Sequence, residues 1–267
     1  MNMYGSIKMI TDLETLLCDT MIYWIDKDLI KASGNVFLDR GSQGVKSNEM
    51  YVTMQDSVIK NIQINRLAYA FNQGEAMINK GDPPKKFVDE MISNSMLVYF
   101  NDNNEASSIQ MIGMAETKYH AIDDSLLIGK NEVSGDSISI KIYNNELSQI
   151  EVYENCRGKF VPESKNSSVD SVITYRGNYI DYRIKDKLSY LNGQSFISYQ
   201  GTTLESEYIE IDWSTNKLLA FKKNDVFPLI SPYNESPIRG DTLRYNMIAK
   251  NGVISYGRSK MNDSYFH

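Results

Sequence analysis

Histidines, carboxylates and thiols are the side chains through which this chain would do chemistry, and their spacing gives them few companions. His120 and His267 are its two histidines. A catalytic or structural zinc needs a set of His and Cys ligands, and an acyl-transfer triad needs a histidine base oriented by an acid. One internal histidine supplies neither. Acidic groups recur more regularly, at Asp19, Asp136, Glu207 and Asp241, with Asn48, Asn94 and Asn178 at equivalent places. Paired carboxylates would suit glycoside hydrolysis, and clustered ones calcium. Amides at three of the seven places point instead to a structural corner residue. No Gly-x-x-x-x-Gly-Lys phosphate loop occurs. Cys18 and Cys156 are far apart and read as buried free thiols. The aromatic residues Tyr23, Trp24, Tyr99, Phe100, Tyr182 and Trp213 would stack on sugars, but at strand spacing most read as core or cross-strand pairs. The chain therefore reads as a non-enzyme without cofactor or metal. The clustered Arg, Lys, Asp and aromatic residues of a carbohydrate-active β-helix are not expected on any exposed face.

The seven centres belong to a phrase repeated along the chain. A small residue precedes each: Cys18, Ser47, Ser93, Gly135, Gly177, Ser206 and Gly240. Two residues after come Met21, Met50, Met96, Ile138, Ile180, Ile209 and Leu243, and four after come Tyr23, Val52, Val98, Ile140, Tyr182, Ile211 and Tyr245. Three before stand Leu16, Val45, Met91, Val133, Tyr175, Leu204 and Ile238. Alternation after the centre is the mark of a strand with one buried face, and seven copies mean one supersecondary unit reused. Positions −3 and +2 have opposite parity, so an unbroken strand would send them to opposite faces. Burying both demands a slip of one residue at the centre, as a β-bulge supplies. A small residue before the centre and an Asp or Asn on it suit such a kink.

Polar turns follow most phrases, among them Asp26-Lys27-Asp28, Asn101 to Asn104, Asn144-Asn145 and Lys185-Asp186-Lys187. Returning strands carry Gly34-Asn35-Val36, Gly113-Met114-Ala115 and Gly193-Gln194-Ser195, while Asn155-Cys156 fills the same slot without glycine. Each unit is thus a hairpin. Gly5-Ser6-Ile7 reads as a returning strand whose first half is missing, so the chain is expected to begin in mid-repeat as part of something longer. Centre spacings from 29 residues (Asp19 to Asn48) to 46 (Asn48 to Asn94) argue against a β-helix of constant coils. Gly81 to Lys86 is expected to end one hairpin and open a short helix or loop before Met91. Pro162 to Ser168 is the weakest stretch, placing a soft boundary between 1–165 and 166–267 inside what is otherwise one continuous jelly roll.

With 18 Tyr, 6 Pro and few helix-period segments, the 267 residues read as all-β. That length is enough for a substantial core. No apolar run reaches the ~18 residues of a membrane-crossing helix. A formal charge of −6 leaves no basic face for nucleic acid.

The strings Thr15 to Tyr23 with Ala32 to Val36, and Val133 to Ile138 with Ile150 to Cys156, resemble the OstA-like repeats of the lipopolysaccharide-transport proteins LptA, LptC and the periplasmic part of LptD. Thr203 to Trp213, Gly240 to Asn246 and Gly252 to Ile254 resemble the N-terminal periplasmic region of LptD-type proteins. Two departures stand out: Asn or Glu replaces the usual Asp at four centres, and Asn155-Cys156 lacks the returning glycine. The resemblance implies an open, twisted β-jelly roll of antiparallel hairpins, located in the periplasm of a Gram-negative bacterium or tethered to the outer membrane through another part. It implies an apolar groove that shields the acyl chains of lipopolysaccharide or a related glycolipid, and edge-to-edge joining with other jelly rolls of the kind by strand addition. Met21, Tyr23, Met50, Val52, Met96, Val98, Ile138, Ile140, Ile180, Tyr182, Ile209 and Ile211 are the expected groove positions. The alternative is a structural or adhesive repeat protein with a filled core and no lipid.

Overall fold

The computed structural model describes residues 1–11, 14–56, 58–163, 166–261 and 264–266, and only the backbone from 259 onward. Lys165, at the expected soft boundary, and His267 lie outside the described residues. The architecture is all-β and antiparallel. Its long strands are β1 (Asn2–Ile10), β2 (Thr15–Trp24), β3 (Leu29–Arg40), β4 (Gln43–Gln55), β5 (Val58–Ala76), β6 (Lys85–Phe100), β7 (Ala106–Asp123), β8 (Leu126–Tyr143), β9 (Glu146–Pro162), β10 (Ile173–Arg183), β11 (Leu188–Tyr199) and β12 (Thr202–Asp212). Shorter ones follow: β13 (Lys217–Phe221), β14 (Leu229–Ser231), β15 (Ile238–Arg239), β16 (Thr242–Asn246), β17 (Asn251–Ser255), β18 (Arg258–Met261) and β19 (Ser264–Phe266). Among the described residues the one helical piece is the 3-10 turn Ile25–Lys27, closed by Asp28 in the left-handed region.

The chain divides into two compact units. The first comprises Met1–Ala76, Pro84–Tyr119 and Asp136–Ser148, and the second Met77–Pro83, His120–Gly135 and Gln149–His267. In the first, β1 to β7 form a meander in which each strand pairs with its sequence neighbour. In the second, β9 to β12 continue the same pattern. The pattern then divides: the first half of β12 pairs with β14 and the second half with β13. One branch runs on through β15 and β18, the other through β16 and β17.

The expected slip is present at the corners. Register shifts fall across Asp19 in β2, Asn48 in β4, Asn94 in β6, Asn178 in β10 and Glu207 in β12. At Asp136 the burial pattern shows it, with Val133, Ile138 and Ile140 all buried on one strand. At Asp241 the kink has become a break, the gap between β15 and β16. There the Asp241 carbonyl accepts from Lys222 and its N–H donates to Ser255.

Five returning strands match the slip with two successive residues in the left-handed region. Gly34-Asn35, Gly113-Met114 and Gly193-Gln194 do so, and so do the glycine-free pairs Arg66-Leu67 and Glu154-Asn155. The corner side chain lies over the glycine. A Cβ on Gly34 would strike the Asp19 carboxylate, one on Gly113 would come 2.6 Å from Asn94 Nδ2, and one on Gly193 2.8 Å from Asn178 Nδ2. Asp19 Oδ2 also accepts from Asn35 Nδ2 at 2.8 Å. A short side chain with an oxygen or amide fits that narrow space, which explains the residue type at the centre. Gly5 also has a positive φ (+98°), with no second such residue after it, and a Cβ there would meet nothing within 4 Å.

One local expectation is corrected. Gly81 to Pro84 do belong to a loop that joins β5 to β6, but no helix follows and the loop is shorter than expected, because β6 already begins at Lys85 and pairs with the end of β5 through Ala76. Gly74 lies directly opposite Phe87 and leaves room for its ring. Cross-strand packing of this kind outweighs local propensity.

Replacing Gly34 by Ala should cost about 1–3 kcal/mol, the combined effect of backbone strain and the clash with Asp19. Gly5→Ala should cost only the backbone share. Urea unfolding midpoints compare the two, and equal losses would remove the role assigned to Asp19.

Candidate functional site

The expected groove positions fall into transverse rows on one face of each unit. In the first, Met21, Ala32, Met50, Ile64, Met96 and Met111 are successive cross-strand partners from β2 to β7. A parallel row runs Tyr23, Ile30, Val52, Ile62, Val98 and Ile109. In the second unit Val152, Ile180, Leu191, Ile209 and Ala220 form the equivalent row, beside Ile150, Tyr182, Ser189, Ile211 and Leu218. Ile138 and Ile140 occupy the same face of β8 and are buried. Of the twelve positions only Tyr23 is half-buried; the others are no more than 8% exposed. They are covered by one another and by neighbouring side chains, so the face is buried and largely apolar.

Residues on the other side of the corner share this interior. Leu16, Leu38 and Met9, which pair in one row before the corner, meet Ile30, Val52 and Ile62 around a cavity of about 280 Å³ in the first unit. Its polar rim is Glu14, Thr11 and Asn104. Arg40 Nε stands 3.2 Å from Glu14 Oε2, a charge contact without hydrogen-bond geometry. Its Nη2 donates to the Asn104 carbonyl at 3.2 Å, and its guanidinium lies over the Phe100 ring. Burial pushes the Glu14 carboxyl above its ordinary range, with Arg40 acting against it.

The remaining candidates fall into structural places. Cys18 and Cys156 form no disulfide and are buried, each beside or opposite a corner, and the Cys156 thiol donates to the Val152 and Asn178 carbonyls. Tyr182 packs edge-on against Tyr175, and Trp213 against Phe160 while donating to Ser189 Oγ at 2.7 Å. His120 is half-buried. Among the described residues no group of three His, Cys, Asp or Glu is placed to hold a metal, and no helix is long and apolar enough to cross a membrane.

One expectation does not hold. Arginines and aromatic rings do gather on an exposed sheet face, in the second unit. Arg157, Arg176 and Phe196 are direct cross-strand partners, and across the corner Tyr153 stacks on Tyr179 with ring centroids 5.2 Å apart. Tyr208 packs on Phe221 at 4.7 Å and on Tyr190 at 6.4 Å. The inward positions of the phrase were the informative ones for the core; Arg176, Tyr179 and Tyr208 occupy its outward positions −2 and +1, and Arg157, Tyr153, Phe196, Tyr190 and Phe221 lie on the neighbouring strands outside the phrase. Superposing the phrases on their centres and reading those two columns shows Arg176, Glu205 and Arg239, then Tyr179 and Tyr208.

No protein-family model and no curated protein matches the chain significantly. Among solved structures it is similar to LptH of Pseudomonas aeruginosa, described as the LptA-homologous periplasmic component of the conserved lipopolysaccharide transport device. That similarity has 10% identity and a TM-score of 0.21, over 82% of this chain and 95% of that one. A likeness at this level establishes neither common descent nor common activity.

Desolvation first, and a carboxylate partner second, hold two tyrosines neutral beyond their usual range: Tyr199 beside Asp170 and Tyr208 beside Glu210 both rise to about 12. A phenol whose folded value is raised stabilises the fold fully below its unfolded value of about 10, and that contribution is lost as pH rises through the folded value. Ultraviolet difference titration should therefore show these phenols ionising near pH 12, with the fold weakening from pH 10 upward. Tyr208→Phe should blunt that weakening; an unaltered profile in the variant would contradict the assignment.

Proposed function

We propose that this protein is a periplasmic lipopolysaccharide-transport or outer-membrane assembly component that shields lipid acyl chains in the interior of its bent hairpins. The observation that carries the reading is the continuous apolar face built by the +2 and +4 rows, two rows deep in each unit. Each methylene transferred from water to such a face is worth ~0.8 kcal/mol, so a long acyl chain held there would rarely escape into water. The rows place near-equal apolar sites side by side, which suits sliding over fixed binding. Met at positions 21, 50, 96 and 111 offers unbranched side chains that can rearrange around a guest. The 280 Å³ cavity in the first unit is slightly below the ~300 Å³ at which ligand sites commonly begin. Admission of a whole lipid thus requires the covering side chains to part.

The bridging half of the reading is edge-to-edge joining by strand addition, with another jelly roll of the same kind as the proposed neighbour.

The filled state of the interior favours a second reading, a structural or adhesive repeat protein whose rows are simply its core. Photocrosslinking separates the two. A photoreactive residue at Ile140 or Ile180 should label lipopolysaccharide far more strongly than one at Lys141, which points away from the interior on the same strand. Equal labelling at the three positions would leave the structural reading in place.

A further inference from the structure

The outward face of the second unit carries a polar arrangement that neither the core nor strand pairing requires. Arg157 on β9, Arg176 on β10, Phe196 on β11 and Glu205 on β12 stand directly opposite one another in a single transverse row. The row continues through Leu229 to Arg239. Two residues along, the next outward row is Lys159, Thr174, Ser198, Thr203 and Ser231. Arg157 and Arg176 are exposed like charges on facing strand positions, a pairing that destabilises a sheet. Neither of them, nor Arg239, has an ion-pair partner among the described residues. None of the four hydroxyls in the second row has a side-chain hydrogen bond there either. The Arg176 guanidinium is held over the Phe196 ring, 4.4 Å from its centroid, which fixes its plane and leaves its edge open.

Arg157, Arg176, Phe196, Glu205, Leu229 and Arg239 line a hollow of about 700 Å³, walled on the far side by the turn between β13 and β14 with Phe227; the second row lies outside its lining. That volume is within the ~300–1,000 Å³ range of small-molecule sites. Glu205 and Glu207 also line it; a third acid, Asp225, is neutralised by Lys222 at 3.0 Å. The lining is therefore mixed. Three guanidiniums without ion-pair partners select an anionic group, the carboxylates suit a ligand rich in hydroxyls, and Phe196 and Phe227, each with a cation (Arg176 and Lys222) over its ring, add apolar surface beside it. A simple inorganic anion would use only the first of these features.

We propose that this hollow is a binding site for an acidic saccharide, a phosphorylated or carboxylated sugar. Arg157 and Arg176 clamp the anion across β9 and β10, and Phe196 and Phe227 flank the sugar ring. Glu205 and Glu207, which line the same hollow, receive its hydroxyls. The site is on the opposite face of the strands from the apolar rows, so it does not depend on lipid entering the interior.

Calorimetric titration of the full chain tests it, with glucose 6-phosphate, glucuronate, glucose and inorganic phosphate as probes. At least one acidic sugar should bind at least tenfold tighter than both glucose and inorganic phosphate, and more weakly as salt rises. Arg157→Gln and Arg176→Gln should each lower that affinity tenfold or more, while Lys141→Gln in the first unit leaves it unchanged. Without ligand, Arg157→Gln should keep or raise the melting temperature, because it removes a like-charge pair; a purely structural arginine would lower it. Failure of both acidic sugars to bind, binding no tighter than phosphate, or affinity indifferent to both arginine substitutions would each overturn the proposal.

Discussion

Everything in this fold depends on a one-residue slip at each corner. Side chains alternate along a strand, so residues on either side of a corner share a face only if the chain gains or loses one residue there. The paired strand must slip at the same level, and it does so by placing two residues in the left-handed region. Where these are not glycine, as at Arg66-Leu67 and Glu154-Asn155, strain of ~1–2 kcal/mol per residue follows. The return is larger. Each strand buries three or four inward side chains, at ~1.5–3 kcal/mol for a full-sized apolar one. Bulges therefore persist across neighbouring strands even where the sequence lacks the residue that makes them easy.

The same slip gives the two faces different chemistry. Inward positions −3, −1, +2 and +4 must be apolar or small, and the core rows run unbroken through both units' long hairpins. Outward positions carry no such demand and are free to vary between units. In the first unit they include exposed apolar residues such as Leu67 and Ile112. In the second they carry arginines, hydroxyls and tyrosines. On a repeated scaffold with one constrained and one unconstrained face, the outward chemistry can change from unit to unit without disturbing the core.

Late in the chain the hairpin relaxes into pieces. Asp241 sits in a gap between β15 and β16, and β12 is answered by two short strands, not one long one. A break satisfies the same geometric demand as a bulge, since the two halves need no common register. It also frees the turn between β13 and β14 to wall the outer hollow.

Read alone, the amino-acid order determined the all-β class, the slip at the six corners from Asp19 to Glu207 and the inward residues, because all of these follow from parity within a dozen neighbouring positions. Asn155-Cys156 was recognisable as a returning slot even without its glycine for the same reason. The start of β6 at Lys85 was not, since it depends on Gly74 admitting the ring of Phe87 from the facing strand. Nor was the alignment of Arg157, Arg176, Phe196 and Glu205, which are distant in sequence and meet only through the register of four strands. Whether the apolar rows close on themselves was likewise decided in three dimensions. Local periodicity says which way a side chain points; only long-range pairing and packing say what it points at.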